Sequence, residues 1–491
     1  MLQSVSQFDL EWENIQTAQQ WTALKAGINL QAASLCNRFP DAGINLLEIR
    51  LHPYDRIRWL KAGLNAARRM NDKYAESAHL GNLGMASLEL AQYDDAIHCH
   101  EQSLTLDREL ENSNGVAEDL NYLGTIYYYL GQYTHAHDLF EQALATFAEI
   151  GDEQGQGIVL NSIGNLAYSQ GNLQDACEVF QKALDIFRSK ADLRSEGRTL
   201  NNLGLAYSSL GKNLQAIECY KRSLEIVRLH EDRRNEGKAL VNLGIAYLAS
   251  GDADQALHYF EQCLNIARQL NDRQNLSNAL SNLGLAHAAL GHDQQALSYH
   301  QAHLDLVREI GYRQGEVNAL GNLGLSHAAL GKYEEAIHFY EQQLALAREM
   351  DDRRSEGAAL GNLGICYKTM GDLERAIELY RQQLFIARKI SNRQVEGDAL
   401  SNIGNGLASL GNCDEAISFH RSAIEIFREI GNLRYEAIST FNLALAMSGI
   451  GNIISAVQSA QKALAICKEI HDPYTKLIED QLATWERLLE G

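Results

Sequence analysis

One motif recurs every 40 residues between residues 73 and 472, and its ten copies occupy most of the 491-residue chain. Three small residues mark each copy: a glycine, a second glycine seven residues later and an alanine five residues after that. In the copy that begins at residue 313 these are Gly324, Gly331 and Ala336. Alanine replaces the first glycine in the last copy (Ala444) and the second glycine in the first copy (Ala91). A fixed period of this length restricts the chain to a repeat architecture.

Each repeat has the apolar spacing of two helices separated by its second glycine. In the copy 313–352 the residues at helical spacing before and after this glycine are Leu320, Leu323, His327 and Leu330, then Ala336, Tyr340, Leu344 and Ala347. Gly331 suits the left-handed C-cap of the first helix. Gly324 lies inside that helix, where glycine costs about 1 kcal/mol relative to alanine, so we expect the paired helices to approach closely there. Because one pair cannot bury both of its apolar faces, the pairs are expected to stack into a solenoid.

The repeat resembles the tetratricopeptide repeat. The residues that carry the resemblance are Leu203-Gly204, Tyr207, Gly211, Ala216 and Tyr220, with Ser223 in the last small position. The usual repeat has about 34 residues, whereas this one has six more and lacks the closing proline. The longer form looks most like the arrays of Pins-type adaptors, kinesin light chains and the sensor arms of bacterial signal-transduction (STAND/NB-ARC) ATPases. The resemblance implies an all-α, right-handed α-solenoid of stacked antiparallel helix pairs, with roughly 23–25 helices and helical caps at both ends.

The three prolines, Pro40, Pro53 and Pro473, lie outside the ten copies and mark their limits. We expect residues 1–72 to form an N-terminal cap with a degenerate repeat, residues 73–472 to form the ten repeats and residues 473–491 to form a capping helix. Phe8, Trp12 and Ile15 share one face of the first predicted helix, and residues 28–48 and 54–72 are predicted to pair as the degenerate repeat. At the other end, Leu477, Leu482, Trp485 and Leu489 are expected to cover the last repeat.

Composition excludes several classes of function. The net charge of −20 repels the phosphate backbone of nucleic acids. No apolar run approaches the ~20 residues of a membrane-spanning helix, and the polar N-terminus is unlike a signal peptide. None of the eight cysteines has the spacing of a metal site or disulfide framework, so we expect them to be small buried residues of a cytoplasmic protein. We expect neither nucleic acid nor membrane as partner, and the sequence leaves the oligomeric state open.

The search for catalytic chemistry finds no known motif. The chain contains no nucleotide-binding P-loop, no H-E-x-x-H, no G-x-S-x-G and no EF-hand loop. His98 and His100 flank Cys99, but residues two apart do not share a helix face. His287 and His327 occupy a position that other repeats give to tyrosine, which favours packing. We therefore expect a protein that is not an enzyme and that uses no metal or cofactor.

One polar residue recurs where helix formation does not favour it. Asparagine competes with the backbone inside helices, yet eight of the ten repeats keep it two residues before the first glycine. These residues are Asn82, Asn202, Asn242, Asn282, Asn322, Asn362, Asn402 and Asn442. In the resembling arrays this position faces the concave groove, where a carboxamide can pair with one N–H and one C=O of an extended peptide. The alternative is that the carboxamides bond between repeats and fix their stacking. Both roles stay open here.

We expect the residues around these asparagines to determine which ligands bind. In the middle of the array they are small (Ser281, Ala288, Ala289, Gly321, Ala328, Ala329 and Gly361), which predicts a smooth, open groove. Tyr122, Tyr128, Tyr129 and Tyr168 project from first helices of the second and third repeats, where they serve either as binding hot spots or in packing between adjacent helices. Arg198 and Lys238 are predicted to be the bases at the start of groove-facing helices and could hold an acidic side chain.

Two functions fit these features. The first is a non-enzymatic scaffold or adaptor that holds a peptide segment of another protein in its concave groove. The second is a ligand- or peptide-sensing regulatory module, similar to the sensor arms named above, that acts on an output partner in trans. Neither a helix-turn-helix nor a nucleotide-binding motif is present to supply an output on the same chain.

Overall fold

The computed structural model describes residues 2–39, 53–230 and 233–490, which form 24 helices and contain no strand. The helices are α1 Leu2–Lys25, α2 Leu30–Arg38, α3 Pro53–Met70, α4 Lys73–Glu89, α5 Tyr93–Glu109, α6 Ser113–Tyr129, α7 Tyr133–Glu149, α8 Glu153–Ser169, α9 Leu173–Ser189, α10 Leu193–Ser209, α11 Asn213–Leu229, α12 Arg233–Ala249, α13 Ala253–Leu270, α14 Arg273–Ala289, α15 Asp293–Glu309, α16 Arg313–Ala329, α17 Tyr333–Glu349, α18 Arg353–Met370, α19 Leu373–Lys389, α20 Arg393–Ser409, α21 Cys413–Glu429, α22 Leu433–Gly449, α23 Ile453–Glu469 and α24 Tyr474–Glu490.

The ten copies of the motif correspond to ten helix pairs, which we number repeats 1 to 10. The even-numbered helices α4 to α22 are the first helices of these repeats, and the odd-numbered helices α5 to α23 are the second helices. Two compact halves, residues 1–250 and 251–491, divide the chain within repeat 5. In each half, consecutive helices pack against one another. The prediction of an all-α solenoid built from helix pairs is confirmed.

The second glycine of each repeat ends the first helix in a left-handed conformation, as predicted. Gly331 and Gly371, for example, have φ of 72° and 90°. Ala91 adopts the same conformation with φ of 55°, although a side chain is disfavoured there. A second left-handed residue lies in the turn between repeats, where most repeats carry no glycine; Asp351 is one example with φ of 55°. Each repeat whose two turns are described therefore turns twice through a left-handed residue.

The first glycine is the place where the two helices of a repeat meet. A Cβ atom added to Gly204 would lie 2.6 Å from Cε1 of Tyr220, which is buried on the second helix. An aromatic ring or histidine faces this glycine in repeats 1 to 4 and 6 to 9. In repeat 10 both partners change together, because Ala444 replaces the glycine and Ala460 replaces the ring, and both alanines are fully buried. The predicted close approach is confirmed, and its cause is a ring laid on the glycine.

Ion pairs between a buried glutamate and partly exposed arginines join successive repeats. Glu356 on α18 accepts hydrogen bonds from Arg348 Nε of the preceding repeat and from Arg353 Nη1, both at 2.8 Å, and its side chain is only 6% exposed. Burial alone would raise the pKa of Glu356, but the two arginines hold it below its ordinary value. Glu236 and Glu396 are held in the same way. These contacts fix how one helix pair sits on the next.

The ends of the chain differ in part from the prediction. Ile478, Leu482 and Trp485 of α24 are buried against repeat 10, whereas Leu477 and Leu489 are about half exposed, so the expectation for those two residues is wrong. The helix begins at Tyr474, one residue later than expected, and the Tyr474 N–H donates a hydrogen bond to the Asp472 side chain. Leu482 and Trp485 are thus buried as predicted, and Ile478 takes the place of Leu477 in the buried face. Whether residues 473–491 act as a cap stays a prediction.

At the N-terminal end, Trp12 of α1 stacks on Trp59 of α3 with ring centroids 5.8 Å apart, and Ile15 packs against the same tryptophan. The predicted partner helix within residues 28–48 is α2, Leu30–Arg38. The side chain of Phe8 and residues 40–52 lie outside the described part of the chain. The assignment of residues 1–72 to a cap with a degenerate repeat stays a prediction.

Candidate binding surface on the first helices

The first helices form the inner layer of each half. In the C-terminal half α16 lies beside both α14 and α18, although second helices separate them in the chain. No pair of second helices in the described residues approaches as closely as these first helices do. The layer with the closer spacing is the concave one, so exposed residues of the first helices face inward. We call this surface the inner face.

The eight asparagines, here called the asparagine row, are all half-buried on the inner face. Their surroundings differ between repeats. The amide of Asn202 donates to Oδ1 of Asn161 at 3.3 Å, and the amide of Asn242 donates to Oδ1 of Asn201 at 2.8 Å. Both bonds join neighbouring repeats. The amide of Asn282 bonds to the carbonyl of Asn278 on its own helix at 2.8 Å.

The side-chain carboxamides of the remaining five members make no hydrogen bond to any other residue that the structure describes. They are Asn82, Asn322, Asn362, Asn402 and Asn442. A half-buried carboxamide loses part of its contact with water, so a ligand that pairs with its donor and acceptor would recover that loss. Packing between repeats thus accounts for two asparagines of the row, and five keep a vacant donor and acceptor on the inner face.

A row of aliphatic residues runs one turn further along the same helices, and sequence reasoning missed it. Three residues after the asparagine, Leu325 and Ile365 are 53% and 51% exposed, and Leu445 is 42% exposed. Leu205 and Ile245 stand at the same position in the N-terminal half. The expectation of a smooth groove lined by small residues is therefore wrong in repeats 7 and 8. The sequence signal is a leucine or isoleucine that follows a buried leucine by two residues, as Leu325 follows Leu323, and therefore lies outside the buried face of the helix.

The four predicted tyrosines divide into anchored and exposed side chains. Tyr128 and Tyr168 bond through their hydroxyls to the serine hydroxyls of Ser169 and Ser209 in the next repeat, at 2.7 and 3.0 Å. Tyr122 stacks on buried His100 with ring centroids 5.0 Å apart. Tyr129 stacks on Tyr93 with ring centroids 6.3 Å apart, yet it is 58% exposed. Tyr129 is therefore the tyrosine whose ring is most available to a ligand.

The predicted bases stand where the sequence placed them. Arg198 and Lys238 are exposed on the inner face, one turn before Asn202 and Asn242, and neither pairs with a carboxylate of a described residue. The expectation that they are the only bases at this end of the inner face is wrong, because Arg194 is exposed one turn before Arg198 on the same helix. The inner face of repeats 4 and 5 is thus cationic, in a chain whose net charge is −20.

Two carboxylates occupy the equivalent position in other repeats. Burial raises the pKa of Glu118 in repeat 2 and of Asp398 in repeat 9, even though the amides of Asn114 and Gln394 donate to them at 2.8 and 3.1 Å. The inner face therefore changes from acidic to cationic and back along the repeats. This variation gives each stretch of the face its own preference for ligand charge.

The residues considered for chemistry at the sequence level have structural partners. His287 and His327 are half-buried and stack on Tyr299 and Phe339. His100 bonds to Asp119 Oδ1 at 2.8 Å, and burial raises the pKa of Asp119. Among the described residues, no three histidine, cysteine, aspartate or glutamate side chains are grouped so that they could hold a metal ion. None of the described helices is long and apolar enough to cross a membrane.

The family model of the tetratricopeptide repeat matches five consecutive stretches, residues 74–149, 156–228, 235–309, 315–389 and 396–469. Each stretch covers two of the 40-residue repeats, and together they span the region in which the motif recurs. No enzymatic family is indicated by this match. No functionally curated protein matches the chain.

Solved structures match the fold at low sequence identity. The STAND protein with a tetratricopeptide repeat sensor from Pyrococcus horikoshii is 16% identical over 79% of this chain, with a TM-score of 0.53. This chain spans 54% of the length of that protein. The apo quorum sensor NprR from B. thuringiensis is 18% identical and is matched over 69% of this chain and 97% of its own, with a TM-score of 0.52. A kinesin light chain repeat protein from Podospora anserina is 21% identical over 40% of this chain and 96% of its own, with a TM-score of 0.36.

Proposed function

Because the chain belongs to the tetratricopeptide-repeat family, we propose that it is a non-enzymatic interaction scaffold whose inner face holds an extended segment of another protein. The repeats of this family generally serve protein–protein interaction or peptide sensing. The finer proposal concerns this chain's own surface: the asparagine row pairs with the ligand backbone, and the aliphatic row contacts its side chains. The scaffold needs no cofactor, and its expected place is the cytoplasm.

The observation that carries the proposal is the set of vacant carboxamides beside the aliphatic row. Asn322, Asn362 and Asn402 stand at one position of three consecutive first helices, and Leu325 and Ile365 lie one turn away on two of them. Packed helices lie about 8–10 Å apart, and an extended chain advances about 3.3 Å per residue. Successive repeats therefore contact the ligand at intervals of about three ligand residues. Exposed leucine and isoleucine side by side on adjacent repeats are typical of an interaction site.

A second candidate function is a sensing module that acts on a separate output partner. The two structural neighbours with the higher TM-scores are both described as sensors, and this chain matches nearly the full length of NprR. In this alternative the inner face binds a short free peptide, and binding changes the affinity for the output partner. The two functions differ in the size of the ligand and in the presence of a second partner.

The test compares two sets of asparagine variants. Asn322→Ala, Asn362→Ala and Asn402→Ala together remove three carboxamides that have no protein partner, whereas Asn202→Ala and Asn242→Ala remove two that bond between repeats. Each neutral hydrogen bond contributes about 0.5–1.5 kcal/mol net. The triple variant should therefore bind the partner about ten-fold to a thousand-fold more weakly with an unchanged melting temperature.

The partner is first captured from a lysate with the intact chain and identified by mass spectrometry, and its affinity is then measured by titration calorimetry. The double variant should melt earlier and keep its affinity. A triple variant that melts earlier yet binds like the wild type would contradict the proposal. Capture of a short free peptide that alters binding of a second protein would favour the sensing module.

A further inference from the structure

A cavity of about 690 Å³ lies between the second helices of repeats 3 and 4, α9 and α11. The first helix between them, α10, forms its floor with Leu200, Leu203 and Tyr207, and Leu184 of α9 forms one wall. This volume falls within the range of about 300–1,000 Å³ that small-molecule sites occupy. The cavity is therefore large enough for an organic ligand, and it lies within one compact half.

The cavity is separate from the inner face. Helix α10 presents Arg198 and Asn202 to the inner face and Leu200 and Leu203 to the cavity. Residues two apart on a helix point about 200° apart, so the two surfaces lie on opposite sides of α10. A ligand in the cavity would leave the asparagine row free.

One wall residue contributes to the opening of the cavity, although repeats 2, 3, 8 and 10 also lack a ring at its position. Cys219 of α11 lines the cavity at a position where repeats 5, 6, 7 and 9 carry the larger rings of Tyr259, Tyr299, Phe339 and Phe419. Repeat 1 also has a cysteine there, Cys99, and a smaller cavity of about 420 Å³ lies in the equivalent cleft. Burial raises the pKa of Cys219 to about 11, so its thiol is a neutral wall rather than a nucleophile.

A second residue keeps the mouth of the cavity open. In repeats 7 and 8 the cleft is bridged by an arginine of the preceding repeat that donates to a glutamine, from Arg308 to Gln342 at 3.3 Å and from Arg348 to Gln382 at 3.2 Å. In repeat 4 the glutamine is replaced by Arg222, which cannot accept a hydrogen bond from Arg188. The bridge is therefore lost, and two guanidinium groups line the cavity instead.

These two arginines share one buried carboxylate. Glu196 is 6% exposed and lies 3.1 Å from Arg188 Nε and 3.8 Å from Arg222 Nε. Repeats 5, 8 and 9 supply a second arginine from the first residue of the first helix, but repeat 4 has Leu193 there, and Leu193 lines the cavity. Arg222 also pairs with Glu225 through Nη1 at 3.0 Å. Each guanidinium has five N–H groups, so donors remain on both for a ligand.

The polar groups are arranged asymmetrically along the cavity. Glu196, Arg188 and Arg222 lie at one end, where Glu196 and Glu225 balance the two positive charges and the unused N–H groups of both arginines remain as donors. Glu218 lies one helical turn before Arg222, toward the end occupied by Tyr207. An anionic group therefore fits at the arginine end, and an apolar body fits over the leucine floor.

We propose that this cavity is a second binding site, which takes a small organic anion with an aromatic or aliphatic body and one carboxylate. The carboxylate accepts hydrogen bonds from Arg188 and Arg222, and the body packs on Leu200 and Leu203. Charge-assisted hydrogen bonds to guanidinium groups supply the orientation. The site does not depend on the inner face or on the function proposed for it.

The test uses two fluorescent probes with the same aromatic body, dansylglycine, which carries a carboxylate, and dansylamide, which does not. The full chain should bind dansylglycine with enhanced emission. Arg222→Met should weaken dansylglycine binding about ten-fold or more and should leave dansylamide binding unchanged. Cys219→Tyr, which installs the residue of repeats 5 and 6, should abolish binding of both probes. Leu193→Glu, which adds a negative charge to the half-buried edge of the cavity, provides an independent block of dansylglycine should Cys219→Tyr fold poorly.

Matched controls separate this site from the inner face. The triple variant Asn322→Ala, Asn362→Ala and Asn402→Ala should bind dansylglycine like the wild type. Tyr299→Cys should open a cavity in repeat 6 that takes dansylamide. The proposal is overturned if wild type and the two blocking variants, Cys219→Tyr and Leu193→Glu, bind dansylglycine equally, if wild type binds none at about 1 mM probe, or if Arg222→Met affects both probes equally.

Discussion

Two glycines of helix α18 should respond to the same substitution with opposite signs. A Cβ atom added to Gly357 would meet only Ile386 Cγ2 at 3.5 Å, an ordinary contact. A Cβ atom added to Gly364 would lie 2.8 Å from Cδ1 of Tyr380, whose side chain is fully buried. Both glycines lie inside Arg353–Met370 with helical backbone, so the backbone gain from alanine is similar at both.

The magnitudes follow from these contacts. Glycine to alanine inside a helix gains roughly 0.5–1 kcal/mol, so Gly357→Ala should stabilise repeat 8 by about that amount. Carbon atoms pack at about 3.5–4.0 Å, and the buried ring of Tyr380 has no room to move by the difference. Overpacking of this kind costs about 1–3 kcal/mol. Gly364→Ala should therefore destabilise by up to about 2 kcal/mol after the helix gain is subtracted.

Repeat proteins can unfold in parts, so the assay must report on repeat 8 itself. Hydrogen exchange followed by mass spectrometry on peptides from α18 and α19 gives the local opening free energy. Tyr380→Ala combined with Gly364→Ala completes a double-mutant cycle. The double variant then carries the same pair of residues as repeat 10, which has Ala444 with Ala460. The coupling between Gly364→Ala and Tyr380→Ala should be favourable by about 1–3 kcal/mol. Equal effects of Gly357→Ala and Gly364→Ala would refute the close-approach explanation.

Three further predictions concern stability. Burial lowers the pKa of His420 to about 4, and unfolding returns it to about 6.5. Because the unfolded chain then binds a proton that the folded chain excludes, the free energy of unfolding should fall as the pH drops from about 6.5 to about 4. His420→Phe, which installs the residue type of repeats 2 and 3, should reduce this loss in urea titrations. Glu356→Gln should lower the free energy of unfolding by about 1–2 kcal/mol at pH 7. Because its arginines lower the pKa of Glu356, the difference in stability between wild type and variant should shrink as the pH falls below about 4.5. Deletion of residues 473–491 would uncover Phe441 and its neighbours and should cause aggregation in light scattering; a monomeric chain with unchanged unfolding would disprove the cap.

The core of this fold could be predicted because the same signal is repeated ten times. Gly331 and Ala336 each have nine counterparts, so their placement at the helix turn and at the helix contact is unambiguous. The left-handed residue between repeats could not be predicted, because Glu111 and Asp351 stand there without the glycine that marks such a conformation. One residue of the buried face of α24, Ile478, was missed because nothing in the sequence fixes the rotation of this helix against repeat 10.

The candidate surface was predictable in position but not in its contacts. The asparagine row lies on the first helices as the period implies, yet the bond from Asn242 to Asn201 joins residues 41 apart and depends on the offset between repeats. Leu325 is a leucine like those of the core, so only its position relative to the helical spacing of the buried residues distinguishes it. The cavity beside Cys219 is lined by residues of three helices, so it becomes visible only in the structure.

The most direct test of the proposed scaffold is site-specific crosslinking of its captured partner. A benzophenone amino acid replaces Leu325 or Ile365 on the inner face, and, as matched controls, His338 or Glu378, which are exposed on the second helices of the same repeats. Irradiation with the partner present should give crosslinked product from positions 325 and 365 and none from positions 338 and 378. Crosslinks from the second-helix positions alone, or equally from both, would contradict binding on the inner face.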